Sequence, residues 1–368
     1  MLLENPTVSD LSVHAKNQLS SPQDVALLLV GEKSGLILDE LVHTFKQEGI
    51  PFFGGLFPAV IYGTVRSETG VVLQVVSAKH PPQISPIQST SFITPETTLP
   101  GQQDTALVFV DGLTKGIGRF LEEFNNQLGS EYSFLGGGAG SLSLVQQPCV
   151  FNNEGVFQDA AVYCLLNNSI RLGVRHGWQR IEGPFVVTEA EGNVIKQLNW
   201  QPAINVYREV VEHDAGSTLT IDNFFSIAKG YPFGMIRENE EDIVRDPIST
   251  NEEGELICVG EVPTNTVLYI LKGESDQLIE AAIQARDDAM NTGGQSVRQT
   301  FIVDCISRTL FLEDRFNEEL QAVQVSDSAK PTAGVLSLGE ISSYGTGALE
   351  FFNKTIVVGA FLKTNTNS

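Results

Sequence analysis

Basic residues, cysteines, histidines and long apolar runs are all scarce in this chain of 368 residues, and each scarcity removes a class of function. Only 23 Lys and Arg stand against 45 Asp and Glu, a formal net charge of −22. A surface that negative repels nucleic-acid phosphates and anionic lipid headgroups, so neither nucleic acid nor a membrane surface is expected as a partner. No stretch reaches the ~18 consecutive apolar residues of a spanning helix. The first residues, "MLLENPTVSDLSVHAKNQ", show no basic segment leading into an apolar one, so a cytoplasmic protein is expected.

The four cysteines, Cys149, Cys164, Cys258 and Cys305, form no CxxC pair, and each lies in or beside an apolar run. That pattern suits reduced, buried thiols rather than a disulfide framework or a zinc site. Five histidines, His14, His43, His80, His176 and His213, show neither HxH nor HxxxH spacing, so no metal centre is expected. What the chain does have is 42% apolar residues and 34 glycines, the mark of a globular protein with many tight turns. Its length fits two domains, or one large α/β unit with a second lobe.

An internal repeat organises the sequence. "VALLLVGEKSGLILDELVHTFKQEGIPFFGGLFPAVIYG" (25–63) and "ALVFVDGLTKGIGRFLEEFNNQLGSEYSFLGGGAGSLSL" (106–144) follow one plan. An apolar run of strand length stops at a glycine-containing turn, apolar residues at helical spacing follow, and a second apolar run ends in a glycine cluster. A fainter third copy spans 267–308, with a helix near 276–290 and "TFIVDC" as its second strand. In that register Asp304-Cys305-Ile306-Ser307-Arg308 falls where the other copies carry Gly54-Gly55 and Gly136-Gly137-Gly138. Short β-branched runs bounded by Gly, Asn or Pro come after the corners and read as antiparallel hairpin strands. The expected fold class is α/β (α+β): two modules of mixed, largely antiparallel β-sheets with helices packed on the outer faces, built from repeated β-α-β units. A polar "HDAGS" after a helical stretch at 203–212 suggests a division into an N-terminal segment 1–24, a module 25–212 and a module 213–368.

Several residues invite a chemical role. "FLGGGAGS" has no Walker lysine and no GxGxxG leading into a helix, so Gly136, Gly137 and Gly138 read as a pocket wall that presents backbone amides. A catalytic role for Cys305 needs a base, and the sole histidine of the second half is the distant His213. A buried, inert thiol is the expectation there, and a thiol enzyme the alternative. Arg245, Arg308 and Glu340 stand beside strand-like segments, where charges are either paired structurally or offer an arginine fork to an anion. "RLGVRHGWQRIEGP" gathers Arg175, His176, Trp178 and Arg180 around Gly177; a satisfied surface or core histidine is the expectation for His176, and an axial ligand for non-covalent haem the alternative.

These pieces together resemble the FIST proteins (F-box and intracellular signal transduction). "FFGGLFPAVIYG", "FLGGGAGS" and "GVRHGWQRIEGPFVVTEAEGNVIKQLNWQPAINVY" are similar to the N-terminal FIST module, and "YPFGM", "DIVRDP", "DCISR", "GVLSLGEIS" and "FFNKTIVVGAFL" to the C-terminal one. The resemblance implies a non-catalytic sensory protein that binds a small polar ligand, such as an amino acid or a carboxylate. Its output would be a signalling protein such as a histidine kinase or a cyclic-dinucleotide enzyme. The expected ligand-binding residues are Gly136, Gly137, Gly138, Arg245, Cys305, Arg308, Glu340 and Asn353, with no cofactor. Alternatives are a haem-binding nitric oxide sensor that uses His176, and a protein-interaction scaffold.

Overall fold

The structure, a computed structural model, describes residues 1–92, 104–129, 131–237, 241–325, 330–344 and 348–363. The first unit runs β1 (Leu2–Glu4), α1 (Val8–Gln18), β2 (Asp24–Gly31), α2 (Leu38–Gln47), β3 (Phe52–Phe57), β4 (Ala59–Tyr62), β5 (Val65–Ser67) and β6 (Gly70–Ser77). The second runs β7 (Gln83–Pro86), β8 (Asp104–Asp111), α3 (Ile117–Leu128), β9 (Tyr132–Ala139), β10 (Val150–Asn152), β11 (Gly155–Phe157) and β12 (Ala160–Leu166). A third unit opens with β13 (Ile170–Arg175) and is then interrupted by an insertion. The inserted elements are β14 (Gln179–Glu191), β15 (Val194–Leu198), β16 (Gln201–Pro202), α4 (Ala203–Ala215), α5 (Phe224–Ala228), β17 (Phe233–Met235), β18 (Ile243–Thr250), β19 (Leu256–Val259) and β20 (Val267–Lys272). The unit resumes with α6 (Ser275–Met290), β21 (Val297–Cys305), α7 (Ile306–Leu312), α8 (Phe316–Ala322), β22 (Ala333–Ser337), β23 (Glu340–Tyr344), β24 (Ala348–Phe352) and β25 (Ile356–Leu362).

Local chemistry accounts for the helices. Thr7 caps α1 in a capping box, its Oγ1 accepting from the Asp10 amide while the Asp10 carboxylate accepts from the Thr7 amide. Gly116 at φ +84° and Gly129 at φ +74° bracket α3, whose Phe120, Leu121, Phe124 and Leu128 form one buried stripe. In each unit the strand before a helix and the strand after it pair in parallel: β2 with β3, β8 with β9 and β21 with β22. The last strand of each unit then returns antiparallel to the first of that pair, β6 to β2, β12 to β8 and β25 to β21.

The hairpins between are exchanged. β4 of the first unit joins β22 of the third, β10 of the second joins β3 of the first, and β23 of the third joins β9 of the second. Three six-stranded sheets of the same plan result, closed on one another in a pseudo-threefold ring. The insertion makes a fourth, seven-stranded antiparallel sheet from β14–β20. A cut between residues 212 and 213 would pass through α4 and divide that sheet, because β14–β16 precede it and β17–β20 follow.

The mixed, largely antiparallel α/β architecture agrees with the sequence reading, but the third repeat lies further along the chain than its apolar pattern suggests. β20 precedes α6 without being the parallel partner of β21; it pairs with β14 and β17 in the inserted sheet. "TFIVDC" is the first strand of the third βαβ unit, not the second. Backbone contact fixes the true register. A Cβ on Gly54, Gly136 or Gly334 would lie 1.8, 1.6 or 2.1 Å from the carbonyl oxygen of Leu28, Val108 or Ile302, respectively, each on the parallel neighbour. Gly334 of "TAGVLSLGE" is therefore the counterpart of the glycine corners, and Asp304-Cys305 matches Val30-Gly31 and Val110-Asp111.

Candidate functional site

The apolar strand β21 delivers Asp304 and Cys305 to the interior and turns at once into α7, whose first turn carries Arg308. Arg308 has no exposed surface. Its guanidinium donates to the carbonyl oxygens of His176 (2.6 Å) and Leu278 (3.0 Å), pairs with Glu319, and lies 3.3 Å from Asp304 Oδ1. One cation thus faces two fully buried carboxyl groups. Burial, and then the neighbouring Glu319, push the Asp304 carboxyl well above its usual range.

Beside it, Glu340 accepts from Ser337 Oγ (2.7 Å) and from the Thr355 amide (3.2 Å), opposite Gly137 in the β9–β23 ladder. Burial pushes its carboxyl up to about 8. Burial first, and then Glu340, raise the Cys305 thiol well above its ordinary value, which removes the thiolate that nucleophilic chemistry would need. Arg245 donates to the carbonyls of Glu261, Val244 and Phe351 and to Asn353 Oδ1. Burial lowers it to about 10, which leaves it charged at neutral pH. Lys354, at φ +53°, has its ammonium held by Asp246 (3.1 Å) and the Lys229 carbonyl (2.8 Å), 4.7 Å from the Trp178 ring centroid.

The residues singled out from sequence therefore converge, but on an interior network. Gly136, Gly137 and Gly138 are buried in the sheet junction: the Gly138 amide donates to Gly339, and the Leu338 amide donates back to Gly138. Cys305, Arg308, Glu340, Arg245 and Asn353 are each at most 7% exposed. The network forms the underside of an open groove.

That groove has a volume of about 470 Å³ and lies between the end of β13, the start of β14, the approach to β18 and one face of α6. Gly177, at φ +80°, lets the chain pass close to the helix, where a Cβ would sit 2.8 Å from the Cβ of Ala281. On one wall Arg180 grips Asp242 through two hydrogen bonds, of 2.7 and 2.5 Å. Arg175 binds Asp288 (2.6 Å) and approaches Glu241 (3.7 Å). The opposite wall is α6, with Gln277, Glu280 and Gln284.

His176 lies in the floor. Burial lowers its pKa, so the ring is neutral; Nδ1 accepts from the Trp178 amide (2.9 Å), and Nε2–H donates to Glu241 (3.0 Å). Both nitrogens are thus engaged, the groove's rim is charged, and His176 as placed does not fit ligation of haem iron. Among the described residues, no group of three or more His, Cys, Asp or Glu is arranged to hold a metal ion. Sequence reasoning missed Glu319, Lys354, Asp246, Glu241 and the α6 face. Of these, only the Asn353-Lys354 break between two apolar runs carried a local signal.

Family models match the chain in two consecutive stretches, the FIST N domain over residues 24–201 and the FIST C domain over residues 203–343. No curated protein matches the chain. Among the described residues no helix is long and apolar enough to cross a membrane.

Proposed function

The chain belongs to the FIST family, whose domains are associated with sensory roles in signal transduction, and on that premise we propose a non-catalytic sensor that binds a small zwitterionic ligand in the groove above Arg308. The supporting observation is the groove itself. It has the volume of a metabolite site, it presents arginine and carboxylate side chains together, and its floor is tied to the molecule's interior by the Arg308–His176 hydrogen bond. An amino acid offers the matching pair of charges: its carboxylate to the Arg180 and Arg175 side, its ammonium toward Glu241 and Glu280. Arg308, fully enclosed, does not touch the ligand; it transmits. The same guanidinium reaches Leu278 on α6 and Glu319 on α8, so a shift of the floor is felt by both helices.

A ligand changes output only through different affinity for two arrangements of these elements. The proposed recipient is a separate signalling protein, a histidine kinase or a cyclic-dinucleotide enzyme, in the cytoplasm. A thermal-shift series with amino acids and dicarboxylates on wild type and Arg180→Ala tests the reading. At least one compound should raise the wild-type Tm in a saturable manner and lose most of that effect in the variant. Equal stabilisation of both proteins, or none by any compound, would remove the groove as the sensory site.

A further inference from the structure

Trp178, which lines the groove, meets Phe311 edge to face with ring centroids 5.0 Å apart, and Phe311 lines a second cavity of about 330 Å³. Gly273 completes this shared wall: a Cβ there would lie 2.2 Å from the Trp178 ring. The second cavity differs from the groove in the side chains of its wall. Its lining contains Lys229 and Lys272 and no Asp or Glu, in a chain whose net charge is −22. Around the lysines stand Ser226, Tyr231 and the apolar faces of Ile227 and Phe311.

The two ammonium groups are not locked away. Lys272 bonds Asp214 at 2.7 Å, an oxygen that also accepts from the Tyr231 hydroxyl at 2.7 Å. Lys229 donates to Glu313 (2.8 Å) and to the Leu310 carbonyl (3.2 Å). Asp214 and Glu313 are exposed by 30% and 71%, so both pairs face solvent and are weak enough to be shared with an incoming anion. Burial raises the Tyr231 pKa and keeps it a phenol, a donor rather than a competing anion.

We propose that this cavity is a second ligand site, for a small organic carboxylate with an apolar or aromatic body. The carboxylate sits between Lys229 and Lys272, and the body lies against Phe311 and Ile227. A closed chain of contacts joins the site to the groove. Phe311 touches Trp178, Trp178 Nε1 donates to the Lys354 carbonyl (2.9 Å), and the Lys354 ammonium donates to the Lys229 carbonyl (2.8 Å). Occupancy that presses on Phe311 is therefore registered at Trp178.

That contact supplies the assay. The chain has two tryptophans, so Trp200→Phe leaves Trp178 as the sole indole reporter. In this background benzoate should change the Trp178 emission saturably. Inorganic phosphate, which has charge without a body, and benzyl alcohol, which has a body without charge, should act at least tenfold more weakly. Lys272→Gln should raise the apparent Kd for benzoate at least tenfold. Lys229→Gln, which leaves the carbonyl that Lys354 uses, should do the same and stands in if the first variant folds poorly. Arg180→Ala, at a residue that lines the groove and not the second cavity, should leave the Kd within about twofold. No saturable response to benzoate, an unchanged Kd in the folded lysine variants, or a response abolished by Arg180→Ala would each overturn the proposal; the last would place benzoate in the groove.

Discussion

Glu340 carries a carboxyl whose folded value is held near 8 by burial, against 4.5 for the free side chain. Between those two values the folded protein keeps a proton that the unfolded chain releases, so the linkage has a definite sign. The stabilising contribution is complete below about pH 4.5, declines as pH rises, and is gone above about 8. Glu340→Gln imitates the protonated form: its amide oxygen can take the Thr355 N–H and its NH₂ can donate to Ser337 Oγ. In urea melts at pH 5, 7 and 9, the variant should match wild type at pH 5 and exceed it at pH 9 by on the order of 3–5 kcal/mol. A constant difference across the three pH values would mean that Glu340 is ionised throughout. Asp246, also raised by burial, adds pH dependence of the same sign to both proteins and cancels in the comparison, whereas Asp304, which Glu340 itself helps to raise, responds to the substitution as well.

Glycine marks the repeated element more faithfully than apolar periodicity does. Gly136 packs where a Cβ would lie 1.6 Å from the Val108 carbonyl, in the interior of a parallel pair that cannot widen without breaking its ladder. Gly118, in the first turn of α3, has nothing within 4 Å of its Cβ position. Gly136→Ala should then cost more than about 4 kcal/mol or prevent folding, while Gly118→Ala should add about 0.5–1 kcal/mol by removing glycine's conformational freedom from a helix; denaturant midpoints report both. The same contrast explains what could be read from sequence. The strand–helix–strand order of the first two units was legible because Phe120, Leu121, Phe124 and Leu128 recur at helical spacing between glycine-bounded apolar runs. The third was misplaced because the inserted sheet ends in β20, an apolar run directly before α6 that imitates an entry strand. The true corner, meanwhile, keeps only Gly334 of its glycine cluster. "DCISR" and "RHGW" each stood out locally, but the bond from Arg308 to the His176 carbonyl spans 132 positions, and no local pattern encodes it. Lys354 showed only as a polar break between two apolar runs, for a related reason: an ammonium buried by a carbonyl, a carboxylate and an indole face has partners that are all distant in sequence.

The exchange of hairpins around the ring ties the two FIST modules together through shared sheets, from which a single folding unit is expected. A chain ending at residue 202 would retain every strand of the β1-β6-β2-β3-β10-β11 sheet. It would lose β21, β22 and β25 from the sheet that contains β4 and β5, leaving that hairpin without its partner, and would lose β23 and β24 from beside β9. The paired edge of β9 would then be exposed along Leu135, Gly136 and Gly137, an apolar edge open to aggregation. The complementary fragment, residues 203–368, would lack the β9 and β4 partners of β23 and β22, as well as β14, to which β20 is bonded. Two independent modules joined by a linker would instead show two calorimetric transitions and yield two stable fragments. The intact protein should unfold in a single transition whose van't Hoff and calorimetric enthalpies agree. Neither fragment should show a cooperative melt alone, by circular dichroism or calorimetry. A cooperative transition in the isolated 1–202 fragment at a Tm close to that of the full chain would show that the exchanged strands are dispensable, and that the ring is assembled from modules that already fold by themselves.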